Sequence, residues 1–338
     1  MQFYYRPILQ TDIAVKKESF ALAGGKIFFG EVEVIQRNST SYIVPASKVP
    51  SEIKNELIRP REAILGLSGI DPIIMGILNV TPDSFSDGRK NHLTNRAVKY
   101  AKRMVKDGVK IIDIGGESTR PGFKEVSIEE ELSRVIPVIE EIRSLKIPVV
   151  ISVDTRKAPV AERALRAGAN MINDVSAMGF DKNMAKVIKS SGAPICLMHS
   201  HLGAQENIKP YDYTNVLLDV YDFLAQKIRD AEAHGIPKSQ IILDPGIGFN
   251  KNLNHNLLLL NRVSLFHSLG CQLLVGASRK GFIGAISGEN DPEKRLVGSI
   301  VVSLGIIEQG VQILRVHDIA EHQQALLMWK GITYGCRN

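Results

Sequence analysis

The sequence predicts an α/β fold, a closed (β/α)8 TIM barrel that carries a small N-terminal β-containing appendage. From Ile73 onward, short apolar, β-branched runs alternate with longer amphipathic segments, and eight such units can be counted. Each short run is almost continuously apolar, as in strands of a parallel sheet covered on both faces. Eight units over residues 73–338 match the size of a closed barrel, about 250 residues, whereas an open doubly wound sheet usually has fewer strands.

In order, the strand candidates are IIMGILN (73–79), VKIIDIG (109–115), PVVISVD (148–154), MINDVS (171–176), APICLMH (193–199), QIILDPG (240–246), QLLVGAS (272–278) and QILRVHD (312–318). Segments between them, such as LTNRAVKYAKRMVKDG and EEELSRVIPVIEEIRSL, repeat apolar residues at helical spacing and often end in glycine. These read as helices. Barrels of this kind do their chemistry at the carboxyl ends of the strands. Polar residues gather at those ends here: Asn79, Asp113, Asp154, Asn173, His199, Asp244, Ser278, and Arg315 with His317.

Residues 1–70 do not continue the alternation. A hairpin is expected within KIFFGEVEVIQRNSTSYIVPA, turning at residues 37–41, as part of a separate module that packs on the barrel or forms an oligomer contact. The catalytic domain is then residues 71–338.

Composition narrows the function. With 338 residues and 44% hydrophobic content the chain can bury one large core, which argues against disorder. No stretch approaches the roughly 20 apolar residues of a membrane span, and the N-terminus lacks a charged region followed by an apolar core. A soluble, unexported protein is expected. The cysteines Cys196, Cys271 and Cys336 are scattered, with no C-x-x-C spacing, so neither a disulfide framework nor a zinc site is expected. The net charge of +6 is spread along the chain without a basic block, which fits a small anionic substrate at least as well as nucleic acid, or simply a solvated positive surface.

The segment GILNVTPDSFSDG (76–88) leaves a strand at Asn79 and enters a small, polar loop, while GGESTRPG (115–122) sets Thr119 and Arg120 on glycines, an arrangement suited to an oxyanion. Asp154, Asn173 and Asp244 end three strands. A lone Asp there is commonly a helix N-cap, and Asp154 could be one. Three such groups in one barrel mouth instead call for a ligand with several N–H donors, such as an aminopyrimidinone ring. ASRKGF (277–282) places Lys280 and the backbone near Gly281 at a helix start, and RVHD places Arg315 and His317 on one side of a strand, where these barrels usually hold phosphate.

In family order, NVTPDSFSDG (79–88), DIGGESTRPG (113–122), SVDT (152–155), NDVS (173–176), LMH (197–199), ILDPGIGF (242–249), SRK (278–280) and RVHD (315–318) resemble the dihydropteroate synthases. The resemblance covers the chain from about Ile73 to its end. It implies a cytoplasmic transferase of folate biosynthesis, a homodimer and a sulfonamide target, joining 6-hydroxymethyl-7,8-dihydropterin pyrophosphate to p-aminobenzoate with loss of pyrophosphate. By the same resemblance Asp113, Asp154, Asn173, Asp244 and Lys280 hold the pterin ring. Asn79, acting through Mg²⁺, holds the pyrophosphate together with Thr119, Arg315 and His317. Aminobenzoate is assigned to Phe85, Thr119, Pro121, Phe249, Lys280 and Gly281, and Asp83, Ser84, Asp87 and Arg120 to mobile loops. Asp113, Lys280, Arg315 and His317 are the implied catalytic groups. The chain departs from many relatives in having Gly281 where they have Ser after SRK, so the aminobenzoate carboxylate is expected to lean on backbone N–H groups, the helix dipole and Lys280.

Two rival functions fit parts of this pattern. A pterin-dependent methyltransferase would share Asp154, Asn173 and Asp244 but would need no pyrophosphate site, against which RVHD, SRK and NVTPDSFSDG stand. A catalytically inactive pterin-binding scaffold would not need every polar group in place.

Overall fold

The computed structural model describes residues 2–12, 18–81, 90–117, 125–200 and 213–335. Eight parallel strands close into a barrel: β5 (Ile73–Asn79), β6 (Ile111–Gly115), β7 (Val150–Asp154), β8 (Met171–Asp174), β9 (Ile195–Met198), β10 (Ile241–Asp244), β11 (Gln272–Val275) and β12 (Ile313–Val316). The order runs round the ring to β12 pairing with β5, as the eight alternating runs predict. Apart from β5, the strands are shorter than the apolar runs, because the outer residues of each run leave the ladder to enter loops or caps.

Strand alternation sorts the side chains into two populations. Met75, Ile111, Met171, Cys196, Ile242, Leu274 and Ile313 form one buried apolar layer inside the barrel, joined by Ile64 from the segment that precedes β5. Residues of the opposite parity, including Ile74, Leu78, Ile112, Ile114, Ile151, Val153, Leu243 and Leu314, pack outward under the helices in a second, larger cluster. With the interior apolar at this level, the next inward positions up the strands, Asp113, Asn173, Asp244 and Arg315, form the floor of the mouth.

The helices around the ring are α2 (Lys90–Lys106), α3 (Ile128–Ser144), α4 (Ala158–Ala167), α5 (Met184–Ser191), α6 (Val216–Ala233), α7 (Leu253–Asn261), α8 (Gly281–Ser287), α9 (Leu296–Ile307) and α10 (Ile319–Tyr334). Their ends follow local chemistry. Ser127 caps α3 by accepting from Glu130 N at 3.1 Å, and α4 ends at Gly168 in the left-handed region. No described helix is long and apolar enough to cross a membrane. Cys196 and Cys271 are buried and unpaired, while Cys336 lies outside the described residues.

Before the barrel come β1 (Phe3–Gln10), β2 (Phe20–Ala21), β3 (Phe28–Gln36), β4 (Tyr42–Pro45) and α1 (Ser51–Ile58). The expected hairpin is β3 with β4, but the sheet also has β1 and β2 pairing with β3. Sequence periodicity under-reads β1 because Pro7 and an irregularity between Ile8 and Leu9 interrupt its alternation. An edge strand tolerates both. Leu22, Phe29, Val32 and Leu57 give this module its own small core. Charge fastens it to the barrel: Arg37 pairs with Asp219 and Asp222 of α6, both at 2.7 Å, and Glu33 with Arg262 at 2.7 Å.

Beneath β1 runs a buried 3-10 segment, Val263–Leu269, where Ser264 Oγ donates to Pro7 O at 3.2 Å. Within it His267 is fully buried, its Nε2 lying 2.9 Å from Gln309 O and its Nδ1 without a partner. Burial, helped by Arg61, drags the pKa of His267 down to about 3. The unfolded chain therefore binds this proton more readily than the folded one, and stability falls as pH drops from the ordinary histidine value toward the folded one. Between pH 7 and pH 5 the loss from His267 is expected to be about 2 kcal/mol by linkage. Urea denaturation at both pH values should show it, and His267→Gln should remove that part of the slope; an unchanged slope in the variant would refute the assignment.

Candidate functional site

At the carboxyl ends of the strands a set of polar groups is held by mutual contact. Asp113, fully buried on β6, accepts at Oδ2 from Arg315 Nε at 2.7 Å and from Asn173 Nδ2 at 3.0 Å. Arg315 Nη2 donates to Asp154 Oδ2 at 2.8 Å, so one guanidinium bridges two carboxylates. Burial pushes Asp154 above the ordinary carboxylate range; Arg315 opposes this and the charge of Asp113 adds to it. For Arg315, burial works against the charge, but Asp113 and Asp154 outweigh it and the net shift is upward. Asp154 does not cap a helix, since Lys157 occupies the N-cap of α4.

Asp113 Oδ1 is left buried with no hydrogen-bond partner. Leaving such an acceptor unmade costs about 1–3 kcal/mol, which a ligand N–H would relieve. Nearby, Asp244 at the end of β10 accepts from Gly246 N at 2.7 Å. Gly246 is obligatory: its φ is +70°, and a Cβ there would lie 1.9 Å from His199 O. Burial raises the pKa of Asp244, against the pull of Lys280 first among the neighbouring donors.

Lys280 immediately precedes α8 and reaches back across the mouth, where its Nζ donates to Ile247 O and sits 4.5 Å from the centre of the Phe249 ring. Burial lowers its pKa to about 8, with Asp244 pulling the other way. Arg279, held at φ 60°, donates through Nε to Asp318 Oδ2 at 3.0 Å and makes a second contact through Nη2. His317 follows β12, with its Nδ1 3.2 Å from Ser278 Oγ. The SRK and RVHD loops are thereby locked together. Gly281 begins α8, and a Cβ there would meet nothing within 4 Å, so the Ser expected from relatives would fit without any shift.

The structure thus brings together Asp113, Asp154, Asn173 and Arg315 by direct contact and sets Asp244, Lys280 and Phe249 beside them. Arg315, assigned to pyrophosphate on the sequence, makes its described side-chain contacts to Asp113 and Asp154. Asn79 stands half-buried at the end of β5, paired in register with Gly115. Asp83, Ser84, Phe85, Asp87, Thr119, Arg120 and Pro121 lie outside the described residues.

Sequence reasoning missed two groups. Lys251 is half-buried and donates to Gly246 O at 2.9 Å and Phe249 O at 3.2 Å, with its Nζ 3.0 Å from His199 Nδ1. Burial draws its pKa down to about 7. The second is an ion cluster: Lys157 Nζ contacts Glu131 Oε2 at 2.7 Å and Glu117 Oε1 at 3.1 Å, and Arg156 Nε contacts Glu117 Oε2 at 3.2 Å, all four side chains buried. Glu117 accepts from Val126 N at 3.0 Å while Lys157 donates to Val126 O at 2.8 Å, so the cluster ties the end of β6 to the start of α3. Lysine at a helix start gives no sequence signal for burial, which only its distant partners reveal.

A family model described as pterin binding enzyme matches residues 75–317. The dihydropteroate synthase of Escherichia coli K12 is 44% identical over 255 residues, covering 75% of this chain and 89% of that protein. The chain belongs to the dihydropteroate synthases. The synthase of Bacillus subtilis is 45% identical over 270 residues, covering 78% of this chain and 91% of its own length. Among solved structures, Xanthomonas albilineans dihydropteroate synthase with 4-aminobenzoic acid superposes with a TM-score of 0.75 at 40% identity, over 79% of this chain and 95% of that one. The same synthase in complex with 7,8-dihydropteroate gives a TM-score of 0.72 at 38% identity, over 79% and 96%. As a dihydropteroate synthase this protein is a transferase of folate biosynthesis with a pterin-binding TIM barrel, and the methyltransferase reading is not favoured.

Proposed function

We propose that the chain condenses 6-hydroxymethyl-7,8-dihydropterin pyrophosphate with p-aminobenzoate to give 7,8-dihydropteroate and pyrophosphate, using the residues gathered at the barrel mouth. The carrying observation is the unsatisfied, buried Asp113 Oδ1 beside Asn173, Asp154 and Asp244, an acceptor-rich floor that wants the N–H groups of a pterin ring. The bond between the pterin methylene and the pyrophosphate oxygen breaks, and the arylamine nitrogen forms the new bond to that carbon as its proton is lost to solvent. Asp113 stabilises positive charge spreading into the ring, while Arg315 bridges Asp113 and Asp154 and opposes the rise that burial imposes on Asp154. Lys280 supplies positive charge and His317 a hydrogen bond to the anionic groups. Phe249 and the Lys280–Gly281 backbone offer the aminobenzoate slot, which a sulfonamide would share; the roles the family resemblance implies for Phe85, Pro121, Asp83, Ser84, Asp87 and Arg120 fall on residues outside those described.

Mg²⁺ fits the end of β5. Asn79 offers a hard amide oxygen, and the missing side chain of Gly115 leaves room beside it, since a Cβ there would stand 3.4 Å from Asn79 Oδ1. Among the described residues no group of three or more His, Cys, Asp or Glu could hold a metal, as suits an ion held mainly by substrate phosphates and water. Bound there with pyrophosphate, it would neutralise charge on the leaving group. Incubating the protein with both substrates and Mg²⁺ should release dihydropteroate and pyrophosphate in equal amounts. Asn79→Ala should weaken Mg²⁺-dependent pyrophosphate binding by about tenfold or more in calorimetry; wild-type affinity in that variant would remove Asn79 from the metal site.

The protein acts as a cytoplasmic homodimer, with residues 1–70 as an accessory structural module. Supporting the dimer, Val297 and Val301 of α9 and Met328 and Ile332 of α10 are 60–79% exposed, an apolar face that a second copy would cover. Val297→Asp with Val301→Asp should give monomers in sedimentation, whereas an unchanged dimer would place the interface elsewhere.

A further inference from the structure

At the foot of the barrel, opposite the mouth, a cavity of about 220 Å³ lies where the chain leaves α1 and passes beneath β10 and β11. Arg59 and Arg61 line it from the connecting segment, and Lys238, Ser239, Cys271 and Gln272 line it from the barrel. Its charges do not balance. Against Arg59, Arg61 and Lys238 stand Glu62, an exposed carboxylate of the same lining, and neighbouring Glu56, already paired with Lys238 at 3.2 Å and with Arg59 at 3.2 Å, so positive charge remains in excess.

Arg61 has no ion-pair partner among the described residues. Its Nη1 donates to Arg59 O at 3.2 Å and its Nη2 to His267 O at 2.9 Å, both neutral carbonyls, while Nε is buried with no partner among the described residues. A guanidinium carries five N–H donors in a planar fork, so most of its capacity is unused. His267 beside it stays neutral on account of the same burial and offers no countercharge. Burial drags Arg61 down to about 10, well below the ordinary guanidinium range, with Cys271 and Glu56 acting the other way. A buried, uncompensated cation is costly, and a planar fork in a small cavity matches an oxyanion.

We infer that this cavity binds a phosphate-sized oxyanion, held by Arg61 at the inner wall and by Arg59 and Lys238 at the rim. The ion completes the charge balance and ties the N-terminal module to the barrel through the segment that carries both arginines. Because the site stands at the amino ends of the strands, its occupancy is separate from pyrophosphate binding in the mouth.

Thermal melts of the full chain, with inorganic phosphate replacing chloride at constant ionic strength, test this. Wild type and His317→Ala should both gain melting temperature with a saturable phosphate dependence. Lys238→Gln and Arg61→Gln should require at least about tenfold more phosphate for the same gain, corresponding to one lost charge-assisted contact. Lys238 is at the rim, so Lys238→Gln decides the matter should Arg61→Gln fail to fold. An absent gain in wild type, an undiminished gain in Lys238→Gln, or its loss in His317→Ala would each overturn the inference, the last by assigning the effect to the mouth.

Discussion

Arg315→Met is expected to lower dihydropteroate formation by about two to four orders of magnitude while leaving the barrel folded. The guanidinium bridges Asp113 at 2.7 Å and Asp154 at 2.8 Å, both carboxylates buried. Without it, like charges face each other in a low-dielectric mouth, and breaking a buried pair from one side costs about 3–5 kcal/mol. The system escapes by taking up a proton, and since burial already lifts Asp154, Asp154 is expected to take it. The floor then presents one acceptor fewer to the pterin and less negative charge to the reacting carbon. Steady-state turnover with both substrates, together with the pH profile, measures this: activity should recover partly as pH rises and the extra proton leaves. Turnover within threefold of wild type at neutral pH would show that the floor does not depend on the charge of Arg315 beside Asp154.

Lys157→Met should destabilise the protein by about 3–5 kcal/mol, the second large effect. Its ammonium is clamped between Glu131 and Glu117 with both carboxylates buried, so truncation strands Glu131, leaves Glu117 to Arg156 alone and removes the donor to Val126 O. Guanidinium chloride denaturation should show a lower midpoint at unchanged slope. Combining Lys157→Met with Glu131→Gln should recover part of the loss, because the remaining Glu117 keeps Arg156 as partner. If Lys157→Met alone is as stable as wild type, the cluster is not a clamp. Arg156 also lies 4.1 Å from the centre of the Phe180 ring, so the cluster sits between charge and aromatic packing rather than in solvent.

Much of the fold was legible because it rests on local, periodic chemistry. Apolar β-branched runs make strands, three- and four-residue apolar steps make helices, and a run buried on both faces implies a parallel sheet. The same periodicity placed Asp113, Asn173, Asp244 and Arg315 at strand ends on the inner face, and their nature as donors and acceptors pointed to a nitrogen-rich ring and an anion. Period-two alternation cannot, however, say which strand end meets which. That Arg315 lies between Asp113 and Asp154, and that one oxygen of Asp113 is left unmet, depends on barrel closure pairing β12 with β5 and so facing it across the mouth toward β6 and β7. Lys251 and Lys157 could not be foreseen, since a lysine in a loop is solvated unless residues far away in sequence bury it, and those partners are positioned only by tertiary packing. The N-terminal module was legible as a hairpin but not as a sheet fastened to α6, because Arg37 reaches Asp219 and Asp222 only across a contact between segments some 180 residues apart. Local propensity thus determined the elements and the chemical character of the site, and long-range electrostatics in a closed, desolvated barrel decided which of those groups act together.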